Sequence, residues 1–274
     1  MYQEYWHLDS KPFEPSADDA FFWPGENHQA ALLKLRYAVE NRRGAALLAG
    51  GSGLGKTALI RKLLASLADS FGPRVHLVFP EFSSADLLAY LVDRLSGRST
   101  TGVATPSARE SVCQLENLLT ENSQADRHAV VVIDEAHTLI DTESLDTLRL
   151  LMNLEAGGQP AWTLLLVGQT ALLPALDRMP ELEDRISVKC LLRPLTGEET
   201  SAYVRHRLDA AGARQAIFSD DALLAIHRAT AGVPRRINRL CDLALLIGYA
   251  EELSQIDATQ IAGVNEELVT VRPD

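Results

Sequence analysis

The stretch AALLAGGSGLGKTALIRKLL, residues 45–64, constrains the fold of this chain more than any other part of its sequence. An apolar run is followed by a loop in which four of the six positions 50–55 are glycine, and then by an apolar helix-forming segment. Glycine has no Cβ and allows backbone angles that other residues avoid, so another group can approach such a loop closely. Lys56, which directly follows the loop, indicates that this group is negatively charged.

The same loop matches a phosphate-binding motif. Gly50, Gly55, Lys56 and Thr57 satisfy the pattern G-x-x-x-x-G-K-[ST]. In this motif, backbone N–H groups and the positive end of the helix dipole hold nucleotide phosphates, while the lysine contacts the β- and γ-phosphates and the hydroxyl ligates Mg²⁺. A glycine turn without a ligand is the alternative, which the strand–loop–helix context disfavours. We therefore predict that ATP and Mg²⁺ are bound through Gly50, Gly51, Ser52, Gly53, Leu54, Gly55, Lys56, Thr57 and Ala58.

Paired carboxylates end a second apolar strand, in the segment AVVVIDEAHTL. Asp134 and Glu135 directly follow the run 129–133. The end of a buried strand is an unfavourable place for two carboxylates unless a cation or a water molecule uses them. Beside a phosphate-binding loop, we predict that Asp134 ligates Mg²⁺ and that Glu135 activates the attacking water. A cap for the following helix is the alternative. For His137 we favour packing beside the pair over a part in coupling.

A polar residue also ends the next apolar strand, in the segment LLLVGQ. Gln169 is placed there to sense the γ-phosphate or to hold the attacking water, and we count it among the predicted catalytic residues. A glutamine in a turn with no special role is the alternative.

Phosphoryl transfer also needs positive charge near the transferred group, and an arginine finger supplies it in many such enzymes. The candidates near the end of the core are Arg178, Arg185 and Arg193. We favour Arg185, because it directly precedes the fifth predicted strand in an acidic turn and is placed to project into a neighbouring subunit. The alternative is a surface ion pair with Glu181 or Glu183, of small energetic value.

One further arginine stands at an electrostatically unfavourable position. In AGVPRRINRLCDLAL, Arg235 begins a helix after a Gly-x-Pro turn, where the helix dipole disfavours positive charge. We predict that it turns back onto a nucleotide phosphate. Arg236 and Arg239 form either a solvated face or a small basic patch for a partner.

The order of the segments predicts an α/β fold. Strands are predicted at 45–49, 75–79, 129–133, 162–167 and 186–192, with helices between them at 56–70, 84–96, 107–122, 142–154 and 170–177. Strands that alternate with helices imply a parallel five-stranded sheet flanked by helices. An earlier helix is predicted from an Asn27 cap to Gly44, and a flexible loop at 96–107. From about residue 194 only helices follow, at 196–211, 219–230, 235–251 and 257–267.

We therefore expect three parts: an irregular aromatic N-terminal arm (1–25), an α/β nucleotide-binding core (26–194) and a small all-helical lid domain (195–274). The arm is rich in aromatic residues, unlike a disordered tail, so it is expected to pack on another part of the protein.

The composition indicates which partners and which cellular compartment suit this protein. The net charge of −11 disfavours a protein whose whole surface binds nucleic acid or an anionic membrane, although a local basic patch stays compatible with it. The three cysteines are far apart, without the spacing of a zinc site, which favours a reducing compartment. The first residues lack the pattern of a signal peptide and no apolar run reaches the length of a bilayer span, so we expect a cytoplasmic protein without direct membrane insertion.

Together these motifs resemble the AAA+ ATPases, and more narrowly the ATPase module of the ExeA (general secretion pathway protein A) family. The resemblance extends over nearly the whole chain, from AFFWPGENHQAALLKLRYAVENRRG through VVVIDEAHTL and LLLVGQTALLPAL to FSDDALLAIHRATAGVPRRINRLCDLAL. It implies that Asp134 and Glu135 form the Walker B pair and that Gln169 lies in the sensor 1 region. It also implies that Arg185 is the finger and Arg235 is sensor 2, and that the aromatic arm and the segment around His28 flank the adenine.

Two departures from the family leave the biological process open. Secretion-type members continue with a transmembrane helix and a periplasmic peptidoglycan-binding domain, and the loop here reads KTAL where the family usually has two hydroxyl residues. We favour an oligomeric ATPase, in a hexamer-like ring, that assembles or remodels protein partners of a secretion or pilus system. An ATP-dependent, DNA-binding regulator of transposition, like the related TniB and TnsC proteins, is the alternative. A nucleotide switch with negligible turnover is a third, which Glu135 disfavours.

Overall fold

The structure is a computed structural model that describes residues 1–14, 18–97 and 106–270. The flexible loop predicted at 96–107 lies, from 98 to 105, outside the described residues.

Strands and helices alternate through the first two thirds of the chain. The strands are β1 (Ala45–Gly50), β2 (Arg74–Leu77), β3 (Ala129–Ile133), β4 (Glu155–Ala156), β5 (Gln159–Pro160), β6 (Trp162–Gly168) and β7 (Ile186–Leu192). The helices up to β7 are α1 (Tyr2–Tyr5), α2 (Glu26–Glu40), α3 (Lys56–Ser66), α4 (Ser84–Ser96), α5 (Ala108–Gln124), α6 (Glu143–Leu151), α7 (Leu172–Asp177) and α8 (Pro180–Glu183). Four helices follow: α9 (Gly197–Ala210), α10 (Asp220–Thr230), α11 (Pro234–Ala250) and α12 (Ala258–Thr270).

Five strands form one sheet in the order β2–β3–β6–β1–β7. Every neighbouring pair is parallel; Ala45 of β1, for example, lies between Leu164 of β6 and Ile186 of β7. The predicted α/β class, a parallel five-stranded sheet with helices followed by C-terminal helices, is therefore confirmed. Because all five strands run the same way, the loops after β1, β3 and β6 leave the sheet at one edge, where ligands bind in open parallel sheets.

The burial of each strand follows its place in the sheet. Every residue of the three inner strands, β1, β3 and β6, is buried, whereas the outer strand β7 alternates between buried and more exposed positions. Residues 45, 47 and 49 join one apolar cluster with α4 to α7, while residues 46 and 48 are also fully buried. Helices therefore cover both faces, which is why the inner strands are continuously apolar in sequence.

Strand β2 ends earlier than predicted. The predicted strand continued to residue 79, but β2 ends at Leu77, and the next two side chains, Val78 and Phe79, are 55% and 63% exposed. Leu77 pairs with Ile133, the last residue of β3, so the ladder offers no partner further on. Pro80 follows and lacks the backbone N–H that a longer strand needs.

Two local features differ from the sequence-based expectations. A short antiparallel hairpin, β4–β5, precedes β6, and its turn residues Gly157 and Gly158 have φ values of 64° and 77°. Such angles at both turn positions favour a Gly-Gly pair. Helix α2 begins at Glu26, so Asn27 is not its cap; the Asn27 side chain instead accepts a hydrogen bond from the Arg193 backbone N–H at 3.1 Å.

Contacts between residues divide the chain into two compact units. The first unit comprises residues 28–52 and 56–192. The second unit comprises residues 1–27, 53–55 and the chain from Arg193 onward. The three-part division predicted from sequence stays a prediction, but the aromatic arm groups with the C-terminal helices rather than by itself. It is also not wholly irregular, because it contains α1 and a 3₁₀ turn at Asp19–Phe21.

The second unit has its own apolar core, to which the arm contributes. Tyr2, Trp6 and Phe13 are buried among the side chains of α9 to α12. The Trp6 indole donates a hydrogen bond to the Leu245 carbonyl at 2.9 Å. The buried guanidinium of Arg207 donates to carbonyls of the arm at residues 12 and 14. The arm is therefore an integral part of this helical core.

His128 makes the stability of the first unit dependent on pH. Its side chain is 2% exposed, and its Nε2 lies 2.8 Å from Oγ1 of Thr163, whose hydroxyl donates to the Arg43 carbonyl at 2.6 Å. Since the threonine proton is used there, the imidazole Nε2–H is the donor of the first bond. Burial, assisted by the charge of Arg42, lowers the pKa of His128 to about 4. A neutral imidazole is therefore required in the folded state.

We predict that His128→Gln, which keeps a donor but does not titrate, changes the pH dependence of unfolding. A folded-state pKa below the unfolded value means that the contribution is complete above about pH 6.5 and is lost as the pH falls towards 4. The free energy of unfolding of the wild type, relative to the variant, should fall by about 3 kcal/mol over this window. Urea unfolding at a series of pH values measures it. A constant difference between the two proteins would contradict the prediction.

Candidate nucleotide-binding site

The glycine-rich loop joins the end of β1 to the first residue of α3. Gly53 and Gly55 have φ values of 80° and 88°, in the left-handed region that side chains disfavour. Lys56 is 6% exposed, and its ammonium donates to the carbonyls of Gly50 and Gly51 at 2.9 and 3.0 Å. The loop therefore has the shape and the cation that a phosphate site requires.

The remaining predicted loop residues differ in exposure. Ser52 and Ala58 are exposed, Gly51 is half-buried, and Leu54 is 3% exposed, with its side chain packed away from solvent. Leu54 is thus available to a ligand through its backbone rather than its side chain.

Asp134 lies at the carboxyl end of β3 with only 1% of its surface exposed. Its Oδ2 accepts a hydrogen bond from the Thr57 hydroxyl at 2.8 Å and from Nε2 of His76 at 3.4 Å. Its Oδ1 accepts from the Glu135 backbone N–H at 2.9 Å, and its own N–H donates to the Leu77 carbonyl at 2.8 Å. Helix α3, β2 and the turn after β3 are therefore joined at one carboxylate.

Burial alone would raise the pKa of Asp134, but hydrogen bonds from His76, Thr57 and the Glu135 amide outweigh it and hold the pKa below its ordinary value. The carboxylate is therefore charged near neutral pH. Two oxygen atoms, Thr57 Oγ1 and Asp134 Oδ2, lie 2.8 Å apart at the end of the loop. Hard oxygen ligands of this kind, few in number and supplemented by substrate phosphates, suit Mg²⁺.

Glu135 adopts an unusual backbone conformation. Its φ and ψ of 52° and 31° are left-handed, which costs a non-glycine residue roughly 1–2 kcal/mol. The Thr138 backbone N–H donates to the Glu135 carbonyl and supports the turn. The Glu135 side chain is 46% exposed, and Oε2 lies 3.3 Å from Nδ1 of His137 without the alignment of a hydrogen bond. The carboxylate is therefore accessible to solvent, as activation of water requires.

Gln169 lies at the edge of the sheet where the turn after β3 also lies. It is exposed and directly follows Gly168, the last residue of β6. A Cβ placed on Gly168 would lie 2.7 Å from Cδ1 of Leu172, 3.0 Å from the backbone nitrogen of His137 and 3.4 Å from that of Ala136. The absence of a side chain at Gly168 therefore lets the turn after β3 approach β6, and brings Gln169 to the same edge of the sheet.

Arg185 is held within its own chain. Its guanidinium donates to the Met152 carbonyl at 3.3 Å and to the side-chain oxygen of Asn153. Among the described residues, neither Glu181 nor Glu183 lies within ion-pair distance of Arg185, so the alternative interpretation as an ion pair with these residues is wrong.

The position of Arg185 in the sheet is opposite to that of the glycine loop. It precedes β7, which runs parallel to β1, whereas the loop follows β1. Seven residues of β7 separate the two edges by about 20 Å. Arg185 is therefore too far from the loop of its own chain to contact a phosphate there.

The two other candidate arginines have carboxylate partners. Arg178 lies 3.7 Å from Asp141, with both side chains largely exposed. Both terminal nitrogens of Arg193 bond the carboxylate of Glu199, at 2.6 and 3.0 Å. This pairing lowers the pKa of Glu199 and occupies the two terminal N–H groups of the Arg193 guanidinium.

In the second unit, Arg235 lies against Gly53. Its backbone N–H donates to the Gly53 carbonyl at 3.2 Å, and a Cβ on Gly53 would lie 2.9 Å from Cβ of Arg235 and 3.1 Å from Val233. Arg235, Arg236 and Arg239 are all exposed, and none of them has an ion pair within the described ranges. The start of α11 is thus a positively charged surface.

The aromatic residues expected beside the adenine are placed differently. Tyr2, Trp6 and Phe13 are core residues of the second unit and are not accessible to a ligand. Phe21 and Trp23 are partly exposed at the edge of the same core, and His28 is buried at 6% exposure. For the three core residues of the arm, the expected contact with adenine is wrong.

Sequence reasoning missed His76, Leu77 and Gly168. Residues 76 and 77 lay within an apolar run that indicated only a strand. His76 donates to the Asp134 carboxylate and Leu77 accepts from the Asp134 N–H, and both bonds depend on the β2–β3 register. Gly168 had a visible signal, because a glycine at the end of a strand indicates a close backbone approach.

We predict that Gly168→Ala destabilises the first unit by about 1–3 kcal/mol, because the added methyl group comes too close to the backbone of the turn after β3 and to the side chain of Leu172. Gly263→Ala in α12 is the matched control: no atom lies within 4 Å of its Cβ position, so helix propensity should stabilise the protein by roughly 0.5–1 kcal/mol. Thermal unfolding measures both. Equal stability of Gly168→Ala and the wild type would show that the close approach is not required.

Comparisons with known proteins agree with this geometry. Residues 39–176 match the model of the AAA domain family. General secretion pathway protein A of Aeromonas hydrophila is 32% identical over 97% of this chain, and the chain spans 50% of that protein. Among solved structures, the Aeropyrum pernix ORC2 protein in ADPNP–ADP complexes is similar with a TM-score of 0.72 and 17% identity, over 97% of this chain and 73% of that one.

The Aeropyrum pernix ORC1 protein in complex with DNA has a TM-score of 0.69 and 17% identity, over 95% of this chain and 71% of that one. At such identities the two structures are similar to this chain in fold alone. The family match covers half of the chain and includes the glycine loop, the carboxylates after β3 and the end of β6. This chain belongs to the AAA domain family and is an ATP hydrolase.

Proposed function

We propose that this ATPase hydrolyses Mg-ATP as an oligomer and uses the reaction to assemble or remodel protein partners. The observation that carries the proposal is the hydrogen bond between Thr57 and Asp134 at the end of the glycine loop, because their two oxygen atoms are of the kind that Mg²⁺ prefers as ligands. A bound Mg²⁺ would neutralise charge on the phosphates.

Different residues of the proposed site bind the phosphates, hold the metal and activate the attacking water. Backbone N–H groups of residues 51–58 and the Lys56 ammonium bind the phosphates, while Thr57 and Asp134 hold the metal. The accessible carboxylate of Glu135 takes the proton of the attacking water, and Gln169 orients that water from the end of β6. For Arg235, whose backbone N–H donates to the Gly53 carbonyl, contact with a nucleotide phosphate stays the prediction made from the sequence.

The distance between Arg185 and the loop supports an oligomer. An arginine at the opposite edge of the sheet cannot contact the phosphates of its own chain, but it is exposed and can do so in a neighbouring copy. Its bonds to Met152 and Asn153 fix the side chain at that edge.

Protein partners are supported by three observations. The relative with 32% identity is named for a general secretion pathway, although this chain spans only half of it. The net charge of −11 favours proteins over nucleic acid as partners. Val78 and Phe79 expose apolar surface directly after β2, and aromatic side chains of this kind are frequent in protein interfaces.

A DNA-binding regulator is the second candidate, and one surface favours it. Arg235, Arg236 and Arg239 form an exposed basic cluster at the start of α11. A fold neighbour, the ORC1 protein of Aeropyrum pernix, was solved with DNA. Phosphate contacts by these arginines would give an affinity that falls steeply with salt.

We place the activity in the cytoplasm, where ATP is available and where three free cysteines stay reduced. Within the described residues, no helix is long and apolar enough to cross a bilayer.

Two assays separate the candidates. ATPase rates with and without duplex DNA, together with DNA binding at low and high salt, test the regulator. Capture of assembly or envelope proteins by the ATP-bound form tests the remodelling function. DNA-stimulated turnover together with capture of DNA alone would overturn the preferred proposal; absence of DNA binding at low salt would exclude the second candidate.

Substitutions in the loop and at Glu135 should separate binding from turnover. Lys56→Ala should abolish nucleotide binding, because it removes the ammonium from the phosphate site. Glu135→Gln should retain ATP with near wild-type affinity and lose turnover by about 10²–10⁴-fold. Binding of a fluorescent ATP analogue and phosphate release measure the two effects. Normal hydrolysis by Glu135→Gln would remove this residue from the mechanism.

Arg185→Ala should keep nucleotide binding and reduce the turnover of the assembled protein by about 10³-fold or more. The wild-type rate per subunit should rise with protein concentration, whereas the rate of the variant should not. Arg178→Ala is the matched control, because Arg178 is equally exposed but has a weak local partner. Normal hydrolysis by Arg185→Ala at every protein concentration would exclude it as a finger in trans.

A further inference from the structure

We propose that His76 is a positioning residue for the metal site: its imidazole fixes the orientation of the Asp134 carboxylate, and the affinity for Mg²⁺ in the presence of nucleotide depends on it. The inference rests on the proposed function in one respect, because it requires that Asp134 ligates Mg²⁺.

The contact between the two residues follows from the register of the sheet. His76 of β2 pairs with Val132 of β3, and Asp134 is two residues further along the chain. Side chains alternate between the two faces of a strand, so His76, Val132 and Asp134 point to the same side. The position of the imidazole beside the carboxylate is therefore set by the β2–β3 ladder.

A backbone hydrogen bond beside His76 restrains the position of its side chain. Leu77, the residue after His76, accepts a hydrogen bond from the Asp134 backbone N–H at 2.8 Å. The His76 side chain is 19% exposed, which leaves it largely packed. Its Nε2 lies 3.4 Å from Oδ2 of Asp134, at the long end for a hydrogen bond, and bonds to a charged acceptor are stronger than neutral ones.

Two side chains orient the Asp134 carboxylate through one oxygen atom. Oδ2 accepts hydrogen bonds from Thr57 and from His76. A threonine hydroxyl ligates a cation through an oxygen lone pair and keeps its proton, so Thr57 can hold the metal and still donate to Asp134. His76 is the donor of the two that is not itself a proposed metal ligand, and its proposed role is to orient the carboxylate. Partners that orient metal ligands in this way typically change metal affinity by about 10–100-fold when they are removed.

A matched pair of variants tests the role. His76→Gln places an amide nitrogen near the position of Nε2 and keeps the donor, whereas His76→Leu keeps the approximate volume and removes it. The probe is a fluorescent ATP analogue, titrated with MgCl₂ and, separately, in EDTA. We expect all three proteins to bind it equally in EDTA. The Mg²⁺ concentration for half-maximal enhancement should rise about 10–100-fold in His76→Leu and stay near wild type in His76→Gln.

The outcomes distinguish this inference from the proposed function. Absence of any Mg²⁺ effect in the wild type overturns the proposed metal site, and the inference with it. A normal Mg²⁺ titration of folded His76→Leu overturns only the inference and leaves His76 a packing residue. If His76→Leu does not fold, His76→Asn replaces it: its amide nitrogen is too close to the main chain to replace Nε2, so it should show the same loss, and a wild-type titration would overturn the inference.

Discussion

The structure of the site depends on one buried charge, the carboxylate of Asp134. At 1% exposure, an ionised carboxylate without hydrogen-bond partners would be strongly destabilising. Here Thr57, His76 and the Glu135 amide donate to it, and they belong to α3, β2 and the turn after β3. Helix α3, which follows the glycine loop, and the two outermost strands on one side of the sheet, β2 and β3, are thus connected through the carboxylate that we propose as a Mg²⁺ ligand.

The parallel sheet places the proposed functional residues at two opposite edges, one at the carboxyl ends of the strands and one at their amino ends. The loops after β1, β3 and β6 bring Lys56, Asp134 and Gln169 to the carboxyl edge, whereas Arg185 lies at the amino edge, before β7. No rotamer change can move a side chain across about 20 Å of sheet. If positive charge from Arg185 assists hydrolysis, a second copy must supply it, and ATP turnover becomes a property of the assembly.

The sequence predicted the features that local patterns encode, and missed those that depend on register. Three features could be predicted because consecutive residues determine each of them: the glycine loop, the carboxylates after β3 and the alternation of strands with helices. The order β2–β3–β6–β1–β7 was not predicted, and neither was the contact from His76 to Asp134, since both arise from pairing between distant segments. The end of β2 at Leu77 was missed for the same reason. Val78 and Phe79 are apolar, but β3 ends opposite Leu77 and leaves these two residues without a paired strand.

The same carboxylate also supports the turn of Glu135, the residue that we propose as the activator of water. Glu135 has a left-handed backbone, and its N–H donates to Oδ1 of Asp134 while Thr138 bonds its carbonyl. Such a conformation persists only where its surroundings hold it. Substitution of Asp134 would therefore remove the proposed metal ligand and part of the support of the Glu135 turn together, so the resulting loss could not be divided between the two roles. Side-chain changes at His76 and Glu135 leave the backbone bonds in place, and so test the proposed metal binding and the proposed activation of water separately.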